Sequence, residues 1–282
     1  MFLPGIIFVM LFTLYPILKT MIMSFFDWKI GYQQFSTFVG IDNYISVFSD
    51  PIAKIALLNT LVYAIVTVPL QMFFGLLVAL IISKLTRFST TFRLGYYLPV
   101  ITSWVVVALL FRYLFANKGV INYLIVDVFK ISNNPVRWLS SRWSALSSAM
   151  LLGVWKGIGW NMVIFLAALQ AVPEQLYEAA RIDGANKWQE FFYITLPSIK
   201  GTILFALVML LIGAFNTYTP IEVLTGGNPM HQTEVVLTWM YYKVFNTLNM
   251  GYSAALSVVI TVIIIILTAV IFRVSKDKEQ VK

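Results

Sequence analysis

The sequence has no cysteine and a single histidine, His231, in 282 residues. Disulfides, thiol catalysis and cysteine-based metal sites are therefore excluded, and one imidazole near a lone carboxylate, Glu234, does not make a metal centre. Charge is scarce too: 11% of residues are charged and 60% are hydrophobic, with a mean hydropathy of +0.83. A soluble domain carries roughly 25% charged residues, and the long apolar stretches here have no polar face to supply them. The bilayer has to be the solvent. No Gly-x-x-x-x-Gly-Lys-Ser/Thr loop occurs, so the chain has no phosphate cradle of the kind ATP-driven motors use. It also lacks the His and Asp clusters of an interfacial membrane enzyme, and a non-catalytic role is expected.

A membrane-crossing helix needs about 20 mainly apolar residues to bridge roughly 30 Å of hydrocarbon. Six stretches qualify, at about 2–26, 57–82, 94–115, 144–171, 199–219 and 252–273. The expectation is an all-α, polytopic protein, and no 20–50-residue repeat or long Pro/Gly/Ser linker divides it, so 1–282 reads as one membrane domain. The first stretch has no basic lead and no small-residue cleavage pattern, which fits a retained helix rather than a removed signal. Trp28, Tyr96, Tyr97, Trp138, Trp143, Tyr241 and Tyr242 mark span ends, as rings at headgroup level do.

The net charge of +8 sits mostly in short connections, so it speaks for orientation rather than for nucleic acid. Lys84, Arg87 and Arg93 populate the link between the second and third spans without an acid, and Arg273, Lys276, Lys278 and Lys282 form the tail. Those two segments read as cytoplasmic, and an even number of spans puts both termini there. The 112–143 connection, with Arg112, Lys118, Lys130, Arg137 and Arg142 beside Asp127, weakens that contrast.

The link between the fourth and fifth spans, 172–197, is the most informative segment. Pro173 suits a first helical position, Glu174 favours the positive helix end, and Gly184 supplies a left-handed stop about three turns later. Such a helix sets Leu176, Ala179 and Ala180 along one side and brings Glu178 within reach of Arg181. Small residues beside a charge form a face that a partner's groove can approach closely. A polar and aromatic stretch then leads to Leu196-Pro197, where proline opens the fifth span.

Glu178-Ala179-Ala180, then Gly184, Ile194, Leu196 and Pro197, resembles the EAA signature of membrane subunits of binding-protein-dependent ABC importers. The version here, with Leu169-Gln170-Ala171-Val172-Pro173 before it, is similar to the carbohydrate branch, the maltose and glycerol-phosphate permeases. Phe38-Val39-Gly40-Ile41-Asp42-Asn43-Tyr44, Asn59-Thr60, Phe215-Asn216, Leu224-Thr225-Gly226-Gly227 and Gly251-Tyr252-Ser253-Ala254-Ala255 extend the likeness over nearly the whole chain. The resemblance implies a type I ABC importer transmembrane-domain fold in a prokaryotic plasma membrane. It also implies that loop 172–197 is a cytoplasmic coupling loop. Glu178, Ala179, Ala180 and Gly184 would dock in a separate ATPase, with Asp183 supporting the turn. The implied partners are a second homologous permease subunit, two ATPase subunits that bind ATP and magnesium, and an extracellular or periplasmic sugar-binding protein. No cofactor is expected in this chain.

Sugar recognition inside a membrane calls for amides and aromatic faces around an internal cavity. The fourth and fifth spans supply candidates: Gly153, Lys156, Gly157, Trp160 and Asn161 from one, and Gly213, Ala214, Asn216 and Thr217 from the other. Gap-free comparison with maltose-type permeases places sugar contacts near most of these positions, but their side chains differ, which argues against maltose itself. Close helix packing for the glycines and core filling for the tryptophans are equally open. Lys156 lies roughly 22 Å above the inner end of its helix, where a lysine needs an anion, a route to the interface or water. Pairing with Glu222, snorkelling outward or contacting an acidic sugar are its three readings. His231, in a turn-rich outer connection, reads as a surface residue or a contact for the binding protein. The competing function is a self-sufficient carrier or channel. Against it, the sequence displays no inverted repeat, no broken helices at matching positions and no paired intramembrane carboxylates.

Overall fold

The computed structural model describes residues 3–28, 36–85 and 87–280, with side chains as far as Ser275. Phe2, Thr86, Lys282 and the side chains of Lys276 and Lys278 lie outside the described residues. Within them the chain is mainly helical. The strands described are a two-residue antiparallel pair, β1 (Phe26–Asp27) with β2 (Thr37–Phe38), in the connection after the first long helix.

Four helices are long and apolar enough to cross a membrane: α1 (Leu3–Met23), α3 (Pro51–Ser83), α6 (Arg142–Gln170) and α12 (Met250–Gln280, apolar to Ser275). Two bent pairs pass the same test only when each is taken as one span, α4 (Ser89–Ile101) with α5 (Trp104–Leu114) at 92°, and α8 (Lys187–Ser198) with α9 (Lys200–Phe215) at 65°. The sequence reading of an unbroken span over 94–115 is corrected here. Pro99 has no N–H to give back to the preceding turn, so the helical ladder is already weakened when it reaches Thr102. Thr102 is extended (ψ 142°), and its Oγ1 donates to the Leu98 carbonyl at 2.9 Å, using up one of the helix's last acceptors.

Helix α3 starts on an N-cap: Asp50 Oδ1 accepts from the Ile52 and Ala53 N–H groups at 2.8 and 3.4 Å, and Pro51 fills the first helical position. Its 33 residues run about 50 Å, longer than the hydrocarbon core, so it projects beyond it. Small residues let α6 lie close along it. Asn161 packs against Gly75, where any added side-chain carbon would collide with it. Three buried clusters result, one around Ala64, Val68, Leu146, Leu152 and Phe215, one around Val47, Ala56, Trp239 and Tyr252, and one around Val78, Ile82, Met162, Phe165 and Ala206. The helix α1, by contrast, buries none of its residues against the rest of the chain.

The N-terminal ends of α3 and α12 are tied by polar contacts. Tyr252 Oη donates to Asp50 Oδ2 at 2.8 Å, the Trp239 indole donates to the same oxygen at 3.2 Å, and the Lys243 ammonium lies 3.5 Å away. Burial works against the Asp50 charge, but the bonds from Tyr252 and Ile52, with the Lys243 charge, outweigh it and hold the carboxyl below its ordinary 3.8.

Candidate translocation cavity and coupling loop

A cavity of about 510 Å³ opens among helices α3, α6 and α9. Helix α6 contributes Gly153, Lys156, Gly157 and Trp160, the end of α9 contributes Gly213 and Ala214, and Asn216 and Thr217 follow at the unwound end. Asn161 is not among the lining residues: it is fully buried in the α3–α6 seam, where its amide donates to the Gly157 carbonyl at 2.9 Å. Its place one residue after Trp160 turns it about 100° around the helix, away from the opening.

Helix α3 adds three residues that the sequence reading passed over, Tyr63, Thr67 and Gln71. Their four-residue spacing puts them on one face, and that periodicity of polar groups in an otherwise apolar helix is the signal that would have found them. Glycines seat two of them. The Tyr63 hydroxyl occupies the space a side chain at Gly153 would take, and the Gln71 carboxamide does the same at Gly157.

Lys156 neither pairs with Glu222 nor snorkels outward, two of its three expected roles. Only 4% exposed, it makes no ion pair with Glu222; its ammonium donates to the carbonyls of Pro99 (2.5 Å), Val100 (3.3 Å) and Thr102 (2.5 Å). The same ammonium lies 4.9 Å from the centre of the Trp104 ring. These carbonyls are the unpaired acceptors at the C-terminal end of α4, the negative pole of that helix. Lysine thus closes the break that Pro99 and Thr102 open.

Beyond the C-terminal end of α6, α7 (Glu174–Ile182) projects from the bundle with none of its residues buried. Pro173 stands at its N-cap, one position earlier than expected, and Glu174 is its first residue. The helix ends as the sequence requires. Gly184 has φ +81°, its N–H donates to the Arg181 carbonyl at 3.1 Å, and the Ala185 N–H reaches back to the Ala180 carbonyl at 2.9 Å. That pair of bonds is the Schellman stop, for which glycine alone carries no steric penalty. Glu178, Ala179, Asp183 and Gly184 are exposed, and Ala180 is half-buried. Arg181 pairs with Glu190 at 3.0 Å instead of the expected Glu178, because the chain's return through α8 brings Glu190 alongside. The Tyr177 hydroxyl meets Thr195 Oγ1 at 2.9 Å, pinning α7 to α8. Ile194 and Leu196 are half-buried at the base, and Pro197 lies two residues before the bend at Ile199.

In the connection between α9 and α12, the His231 Nδ1 lies 2.8 Å from Glu234 Oε1, and its ring packs edge-on against Trp239 and Tyr242. Glu234 is buried and also accepts from Thr238.

Residues 56–278 match the family described as binding-protein-dependent transport system inner membrane component. The chain is 34% identical to a probable ABC transporter permease, YurN, of Bacillus subtilis, over 98% of this chain and 95% of that protein. It is 32% identical to the arabinooligosaccharide transport permease AraP of the same species, over 96% and 86% of the two chains. Its fold superposes with a TM-score of 0.84, at 24% identity, on a chain of a bacterial alginate ABC transporter solved with an alginate pentasaccharide-bound periplasmic protein, covering 98% and 92% of the chains. A bundle of four to six apolar crossings, a cavity among its helices and an exposed Glu-Ala-Ala helix agree with that kinship: the chain is a multi-pass membrane protein with the ABC importer transmembrane-domain fold and belongs to the family of inner membrane components of binding-protein-dependent transport systems.

Proposed function

We propose that the chain is one of two membrane-spanning subunits of an ATP-driven carbohydrate importer and forms half of the sugar pathway. The observation that carries this reading is the projecting helix α7, whose Glu178-Ala179-Ala180 face is free and whose Gly184 stop is rigid. A short, well-terminated helix standing clear of the bundle has a shape that fits a partner's groove. Glu178, Ala179, Ala180, Asp183 and Gly184 dock in the ATPase, and Ile194, Leu196 and Pro197 form the base that passes its movement to α9. ATP and magnesium are held by two separate ATPase subunits. A second, homologous permease completes the pathway, and an external binding protein delivers the sugar. Loop 172–197 and both termini face the cytoplasm, in accord with the basic residues of the 84–93 link and the tail.

Carbohydrate as the cargo is supported by the arabinooligosaccharide and alginate systems among the similar proteins, and by the amide, hydroxyl and indole groups around the cavity. Closure of the ATPases moves α7 and α8, and through the 65° bend α9, so that the cavity opens first outward and then inward.

Co-expression with the partner permease, the ATPase and a tagged binding protein tests this. Wild type is expected to co-purify with the ATPase and to show sugar-stimulated ATP hydrolysis. The double substitution Glu178→Lys and Gly184→Asp inserts but loses the ATPase. A folded, inserted wild type that recovers no ATPase overturns the reading and favours a self-sufficient carrier.

A further inference from the structure

Gln71 is the one cavity-lining side chain of α3 left without a hydrogen bond among the described residues. Thr67 Oγ1 donates to the Tyr63 carbonyl at 2.8 Å, and the Tyr63 hydroxyl meets Thr217. The Gln71 carboxamide, with two donors and a carbonyl oxygen, faces the space opposite Gly157, which has no side chain to displace it. An unpaired amide at this depth is expensive unless water or a ligand satisfies it.

Charge in the cavity is accounted for differently. Lys156 is the only charged residue lining it among those described. An ammonium has three donors, and Lys156 directs them at three backbone carbonyls. Its charge faces the negative pole of α4 and the Trp104 ring. Neither a free donor nor a bare positive charge remains for a carboxylate or phosphate.

We propose that Gln71 reads hydroxyl groups of the transported sugar, and that this half of the pathway takes neutral carbohydrate in preference to uronate or phosphorylated sugar. This rests on the carbohydrate reading above. The amide exchanges hydrogen bonds with ring hydroxyls, while Trp104 and Trp160 offer apolar faces to the C–H surfaces.

The complete transporter in proteoliposomes tests it, with a panel of neutral mono-, di- and trisaccharides, their deoxy analogues and the matching uronates, at saturating binding protein. Wild type is expected to carry a neutral sugar at least about tenfold faster than its uronate, and to lose about tenfold when one particular hydroxyl is removed, the scale of one hydrogen bond. In Gln71→Leu that deoxy discrimination flattens towards unity. A merely structural fault would slow sugar and deoxy analogue alike and leave their ratio intact. If Gln71→Leu does not assemble, Gly157→Ala, which displaces the same amide, takes the same test. Uronate carried as fast as the neutral sugar, or an unchanged deoxy ratio in the variant, overturns the inference. Failure of every sugar in the panel overturns the carbohydrate reading itself.

Discussion

The two bends in the chain are held in opposite ways. At 102–103, in the wall of the cavity, the 92° turn between α4 and α5 depends on Lys156, more than fifty residues along the chain, reaching back to Pro99, Val100 and Thr102. At Ile199 the 65° turn between α8 and α9 is secured locally, by the Ile199 N–H on the Thr195 carbonyl at 3.1 Å, with the Tyr177 to Thr195 contact eighteen residues apart. Carbonyls left open by a break in a helix need donors, and at 102–103 the donor comes from another helix. At Ile199 the partners lie in the adjoining stretch of chain. The first should therefore be brittle towards loss of a single side chain and the second tolerant.

The largest effect is expected at Lys156. Lys156→Met strands the carbonyls it serves and should cost about 2–3 kcal/mol, the upper part of the range for leaving buried acceptors unpaired. A lower detergent melting temperature and a lower yield of assembled complex would report it; melting like wild type would show that the bend does not depend on this ammonium. Gly184→Ala is expected to cost about 1–2 kcal/mol because the residue needs a positive φ. The loss should be seen in ATPase co-purification, while the melting of the bundle changes little.

Acid should loosen a third point, the tie between the N-terminal ends of α3 and α12. Asp50 is held below its ordinary 3.8, so its contribution is complete above about pH 4 and is lost as the pH falls through the folded-state value. Melting temperature should drop over that window in wild type, and the step should vanish in Asp50→Asn. The smallest effect is expected at Arg181→Ala. The Arg181–Glu190 pair is 60% exposed on the arginine side, so its removal should change stability by less than about 1 kcal/mol. A large loss there would erase the contrast between the two bends.

The same contrast explains what the sequence disclosed. Helix α7 and its Gly184 stop were legible because every interaction that ends that helix falls within a few residues, and so within a motif. The apolar crossings were legible by length and composition. The break at Thr102 was not, because Pro99 alone is tolerated inside long membrane helices, as Pro69 is inside α3. Only the cross-chain contact with Lys156 decides which proline marks a break. For the same reason Lys156 read as a residue seeking an anion, and Gln71 was not singled out. Arg181 was assigned to Glu178 because spacing along one helix is visible in sequence and the return of Glu190 through α8 is not.

Coupling through α7 is the central claim, and the absence of native cysteine makes it directly accessible. Ala179→Cys gives this chain a single thiol on the exposed face. Labelled with a benzophenone maleimide and illuminated in membranes containing the assembled system, it should cross-link to the ATPase subunit, and the cross-link should change in yield when ATP and magnesium are added. Cross-linking to lipid or to the partner permease alone, with no ATPase adduct in either condition, would contradict the account.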